Sequence, residues 1–248
     1  MMGKVTRLFS GKYRKKFFLR KFFPTCLSIF FSCLVISGII FDSTNPSGYS
    51  LVENPISDLG NPVLNPYGWF FFSAAFVFFS IILLPMYMFL YQRLKKMESI
   101  FPKIGIISNV VSSIGMGMLA FFPNKIPSLA LHGLAALLAF GGICSGIISS
   151  WIAIARDAYI KARRERRKII SLAIVSIFVL LIFITVTGTT ELVFRDLFGE
   201  SKSWFLAFSF WEWMLFFAIS LQIGFIIFIL PDHMEVNYLH DSKHYLDA

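Results

Sequence analysis

Charge is scarce in this chain. Asp, Glu, Lys and Arg make up 15% of its 248 residues, against about 25% in an average soluble domain. A water-soluble globule with so few charges and thirty Phe would have to bury more aromatic surface than a core of this size holds, whereas a bilayer accepts it on every helix face. Cysteine is nearly absent too. Cys26, Cys33 and Cys144 lie inside apolar runs without paired or metal-ligand spacing, so three free thiols and no disulfide are expected. Of four histidines, only His132 lies before the final segment, which holds His233, His240 and His244. A membrane-type zinc hydrolase needs several ligands on one side of the bilayer, so no metal site is expected. The glycine loop that cradles phosphate, the Gly-x-Ser-x-Gly elbow and a lysine buried in an apolar run are all missing, and no cofactor is expected.

What is present is apolar length. The mean hydropathy is +0.71, and six runs are long enough to cross about 30 Å of hydrocarbon at 1.5 Å per residue. They extend from Phe22 to Phe41, Gly68 to Tyr91, Ile104 to Phe122, Leu129 to Ala155, Ile169 to Thr187 and Phe205 to Leu230. This predicts an all-α, polytopic integral membrane protein, one six-helix domain over residues 1–248. The first run follows a basic segment, residues 1–21, in the manner of a signal peptide. It is longer than a cleaved signal core and lacks a small-x-small site, so an uncleaved first span is expected, with Pro24 in its first turn.

Basic residues set the expected orientation. The net charge of +9 comes from short blocks between apolar runs, a pattern that suits lipid headgroups and argues against nucleic acid. Eight Lys or Arg precede the first run, four separate the second and third, and seven separate the fourth and fifth. The positive-inside rule then puts both termini, including the tail 231–248, in the cytoplasm of a cell-membrane protein. Tyr87 and Trp151 are expected near the inner interface. Gly142 and Gly146 form a small-xxx-small pair on the fourth helix and are expected to pack against Gly105, Ser108, Ser112 and Gly115 on the third.

Most of the unusual polar residues then fall outside. Between the first two runs lies Asn54-Pro55-Ile56-Ser57-Asp58-Leu59-Gly60. Asn54 and Pro55 end regular structure, Ser57 and Asp58 can cap a turn, and Gly60 is expected to need a positive φ or a close backbone approach. With His132, Glu191 and Glu212, the Ser57 and Asp58 side chains make a candidate outward-facing pocket for a lipid headgroup or small polar ligand. Glu212, well inside the sixth run, is too costly to face lipid; His132 or the Thr189–Thr190 end of the fifth helix are its expected partners. On the other side, Arg163, Arg164, Arg166, Arg167 and Lys168 form a juxtamembrane block that sets topology or binds headgroups.

Gly48-Tyr49-Ser50, then the Asn54–Gly60 loop, an aromatic-led helix, and Phe122-Pro123 followed by His132 together resemble the domain of unknown function 998 family of bacterial and archaeal membrane proteins. The loop is also distantly similar to that of the Frag/DRAM/Sfk membrane families. The resemblance implies a six-helix multi-pass protein with no established activity. Two readings of function are compatible with these residues. One is a non-enzymatic protein whose pocket binds lipid or a polar ligand for transport, sensing or membrane organisation. The other is an intramembrane, hydrolase-like enzyme acting on lipid, with His132 as general acid or base beside a carboxylate.

Overall fold

The computed structural model describes residues 9–11, 13–124, 128–161, 165–190 and 207–230. Six helices among them are long and apolar enough to cross a bilayer. They are α1 (Lys15–Thr44), α2 (Trp69–Leu94), α3 (Phe101–Phe121), α4 (Leu129–Ile160), α5 (Arg166–Thr189) and α6 (Phe208–Ile229). All-helical architecture and six candidate spans agree with the reading of the apolar runs.

The first helix begins earlier than its apolar run. It starts at Lys15, which puts Pro24 well inside it and not in its first turn. A proline at that depth has no N–H to donate and crowds the carbonyl four residues back. The chain accommodates it with a π-type turn over Phe18–Phe22, closed by the Phe23 N–H on the Phe18 carbonyl. At the start of α3, Glu98 accepts the N–H groups of Ile100 and Phe101 at 2.8 and 2.7 Å, satisfying donors that a helix N-terminus leaves orphaned.

Aromatic side chains join α1, α2, α4 and α6. Phe30 of α1, fully buried, stacks on Phe216 of α6 at 5.3 Å and meets Phe79 of α2 at 4.5 Å. Phe140 of α4 presents its edge to Phe216 at 5.7 Å. Four helices therefore share one aromatic centre. By contrast, α5 buries only Ala173, Ser176, Leu180 and Thr187, a single stripe at helical spacing that leaves most of its surface to lipid.

The α3–α4 contact is made of small residues, as their spacing suggests. A Cβ added at Gly142 would fall 2.5 Å from the Ser108 carbonyl oxygen and 2.7 Å from the Ser112 nitrogen. One added at Gly146 would meet the Asn109 side chain, and one at Gly115 would meet the backbone of Ala139. Across the same seam Ser112 donates to the Ala139 carbonyl at 2.7 Å, and Ser108 and Ser145 are 3.1 Å apart. Backbones approach this closely only where side chains are small.

Tyr87 and Trp151, expected near the inner interface, are both buried between the helices of the bundle. Trp151 donates its indole N–H to Gln222 on α6 at 2.9 Å, and Gln222 in turn donates to the Ser176 carbonyl on α5 at 3.3 Å. At the same basic end, the segment before α1 folds back on the bundle. Gly11, with φ +68°, lies against the Met88–Phe89 backbone where no side chain would fit. Buried Arg93 stacks on Phe89 at 3.7 Å and donates to the Tyr13 carbonyl, while Lys15 donates to the carbonyl of Leu230 after α6.

Candidate functional site

Between α1 and α2, residues 45–68 contain four Asn-Pro pairs: Asn45-Pro46, Asn54-Pro55, Asn61-Pro62 and Asn65-Pro66. A residue before proline is pushed out of the helical region, and Asn45 and Asn61 do adopt extended backbone. Their amides then replace the lost ladder bonds. Asn45 donates to the Phe41 and Leu64 carbonyls at 3.0 and 2.8 Å. Asn54 accepts the Ser50 N–H at 2.9 Å, and Asn61 accepts that of Val63 at 2.9 Å.

Asn65 is the hub. It is fully buried, and its amide donates toward Leu59 O at 3.0 Å, Ser37 Oγ at 3.0 Å and Ser37 O at 3.2 Å while accepting the Gly68 N–H at 3.0 Å. Ser37 of α1, also fully buried, donates to the Gly68 carbonyl at 2.9 Å. One side chain thus ties α1, the loop and the start of α2. Neither Asn65 nor Ser37 stood out in the sequence; the repeated Asn-Pro pairs were the available signal.

Within the loop, Ile56–Gly60 forms one 3₁₀ turn with Ile56, Ser57, Leu59 and Gly60 buried. Gly60 does not have a positive φ; that conformation occurs at Gly48, φ 69°. Gly60 is required because the Phe72 ring of α2 lies where its Cβ would be. At Gly48 a Cβ would come 2.5 Å from Asp42 Oδ1, and the same oxygen accepts the Tyr49 N–H at 3.2 Å.

Glu212 finds its partner in this turn. Its Oε2 accepts the Ile56 N–H at 2.8 Å, 156 residues away in the chain, so a carboxylate on α6 holds the head of the 3₁₀ turn. The hydroxyls of Thr189 and Thr190 instead donate to carbonyls of their own helix, at Thr185 and Thr187. Next to Glu212, Trp213 donates its indole N–H to the Tyr49 hydroxyl at 3.2 Å, and that hydroxyl donates toward the Asn54 and Pro55 carbonyls at 3.2 Å each. Burial pushes the Tyr49 phenol above its ordinary pKa; the Trp213 bond opposes this, and the negative charges of Glu212 and Asp58 each add a lesser push upward. Tyr49 is therefore neutral.

Glu212→Leu is expected to leave the Ile56 N–H without an acceptor and to lower stability by about 1 to 3 kcal/mol. Glu212→Gln keeps an acceptor of the same reach and should stay close to the parent. Melting in detergent reads both; a Leu variant that melts like the parent would show that the bond holds nothing.

The remaining candidate residues divide between the two ends. Ser57 Oγ accepts from Asn124 Nδ2 at 3.4 Å, and the Asn124 carbonyl accepts from Asn61 at 2.9 Å, so the α3–α4 connection docks on the loop. His132, at the start of α4, lies 2.8 Å through Nδ1 from the Phe122 carbonyl; it latches that connection. Glu191, Arg163 and Arg164 lie outside the described residues. Arg166, Arg167 and Lys168 are exposed in the first turn of α5. Cations there oppose the helix dipole, so helix stability is not what places them. Cys26, Cys33 and Cys144 are free thiols. Among the described residues, no three His, Cys, Asp or Glu side chains converge on one point.

Ser57, Glu212 and His132 thus bond to neighbouring protein groups. Open space lies on the flank, in a lateral groove of about 410 Å³ lined by Leu34, Val35, Gly38, Ile39 and Asp42 of α1, by Tyr49, Leu51 and Leu59 of the loop, and by Trp213 of α6. One turn deeper, Phe31 stacks on Phe217 at 5.3 Å and brings α1 and α6 together. The groove is apolar along its length and polar only at the Asp42 and Tyr49 end.

The model of the family described as Protein of unknown function (DUF998) matches residues 30–220, and the chain belongs to that family. The match runs from Phe30 in α1 to Ser220 in α6 and takes in the loop, the groove and Glu212. No curated protein and no solved structure matches this chain.

Proposed function

We propose that this chain is a lipid-binding protein of the cell membrane, with its basic end and both termini in the cytoplasm and the Asn-Pro loop on the outer face. It takes a membrane lipid into the lateral groove and serves transport, sensing or membrane organisation without chemistry on the lipid. The observation that carries the reading is the groove itself, an apolar channel on the lipid-facing flank of α1 that ends at Asp42 and Tyr49. The stripe from Leu34 to Asp42 spans eight residues, about 12 Å at 1.5 Å per residue, enough for much of an acyl chain to lie along it. The bonds made by Glu212 and Asn65 fix the loop wall, so the groove is preformed and a ligand need not order it.

The groove is tested by filling it. The nearest atom to a Cβ at Gly38 is Tyr49 Cδ1 at 3.9 Å, an ordinary contact, so the Gly38→Phe side chain is expected to enter the groove without displacing the backbone. The parent is expected to retain lipid through detergent purification, and Gly38→Phe to lose it while melting at the same temperature. Equal lipid content in the two proteins would defeat the reading. Orientation is read separately. In a cysteine-free background, a cysteine at position 58 should react with an impermeant maleimide on intact cells; reaction only after permeabilisation would invert the topology.

A further inference from the structure

The charge around the groove constrains which lipid it takes. From Phe22 to Gln92 there is no Lys or Arg, while Asp42, Glu53 and Asp58 all lie in that stretch. Asp42 is exposed at the polar end of the groove. Its Oδ1 accepts the Tyr49 N–H, which fixes the carboxylate at the groove's edge. Glu212 and Asp58 act electrostatically on the Tyr49 hydroxyl. A headgroup reaching this end meets the Asp42 carboxylate and the aromatic rings of Tyr49 and Trp213. Such surroundings repel an anionic headgroup and attract a cation, through charge and through the ring faces.

We infer that the groove selects a lipid whose headgroup ends in a positively charged amine, seated against Asp42 with its acyl chain along Leu34, Val35 and Ile39. The inference rests on the lipid-binding reading above and names the class of lipid. The opposite end of the bundle has the reverse character: Arg166, Arg167 and Lys168 are exposed there. The two ends of the protein would then meet the two leaflets with opposite headgroup preference.

The test uses the full chain in detergent, with native mass spectrometry counting bound lipid against three probes of matched acyl chains: phosphatidylethanolamine, its N-acetylated form and phosphatidylglycerol. N-acetylation removes the cation and leaves the phosphate. The parent is expected to retain phosphatidylethanolamine about two- to fivefold better than either of the others, the preference that one exposed ion pair supplies. Asp42→Asn keeps an acceptor for the Tyr49 N–H and should bind all three alike at the lower level. Gly38→Phe should retain none. Equal retention of the three lipids by the parent, with loss in Gly38→Phe, overturns the amine selection and leaves the groove standing. Equal retention by the parent and Gly38→Phe overturns the groove as well.

Discussion

Gly142→Leu should prevent α3 and α4 from closing, with detergent-purified protein melting far below the parent or failing to accumulate. The added Cβ alone would sit 2.5 Å from the Ser108 carbonyl oxygen and 2.7 Å from the Ser112 nitrogen. Both are backbone atoms that cannot step aside without moving the helix. Overpacking of this kind costs about 1 to 3 kcal/mol and sometimes more, and a backbone clash belongs at the upper end. Gly146→Leu is expected to be milder, because its obstacle is the Asn109 side chain, which can rotate. Gly133→Leu is the control, since nothing lies within 4 Å of its added Cβ. A Gly142 variant as stable as the Gly133 variant would mean that the helices do not touch along this line.

The second large effect is expected at Asn65. Asn65→Leu removes the donor for Leu59 and Ser37 and the acceptor for Gly68 at once, in a fully buried position. The Gly68 N–H loses its acceptor at a cost of about 1 to 3 kcal/mol, and Leu59 and Ser37 each lose a donor besides, so the total exceeds the loss at Glu212. Asn45 makes a comparable number of bonds but is only half-buried, so water can replace its amide, and Asn45→Ala should be several-fold less damaging. Melting temperature and yield of the two variants read the difference; an Asn65→Leu variant that matches Asn45→Ala would remove Asn65 from its central place.

The six spans were legible in the apolar runs because hydrocarbon thickness demands length and length is local. Which face each helix turns inward was harder to read. In a soluble helix polar residues mark the outer face, but here lipid accepts apolar residues everywhere, so Tyr87 and Trp151 read as interface aromatics and proved buried. Small residues were the exception. Gly142 and Gly146 showed the α3–α4 face because close backbone approach leaves a compositional trace. The loop was visible as a shaped segment, yet the reason for Gly60 was not, since the Phe72 ring that occupies its Cβ position comes from the next helix. Glu212 was recognised as too costly to face lipid. Its partner, a backbone N–H 156 residues earlier, leaves no mark in the sequence, because every residue but proline carries one.

The aromatic centre also bears on how the molecule is made. Phe30 of α1 is completed by Phe216 of α6, and Lys15 reaches the Leu230 carbonyl across 215 residues. While the ribosome is still synthesising the earlier helices, the inner face of α1 has no protein to close against on that side. The α3–α4 hairpin, whose partners are neighbours in sequence, can zip as soon as it emerges; the seam between first and last helix must wait for nearly the whole chain. Defects in α6 therefore fall on assembly after insertion, leaving five inserted helices with an open edge of phenylalanine for quality control to find.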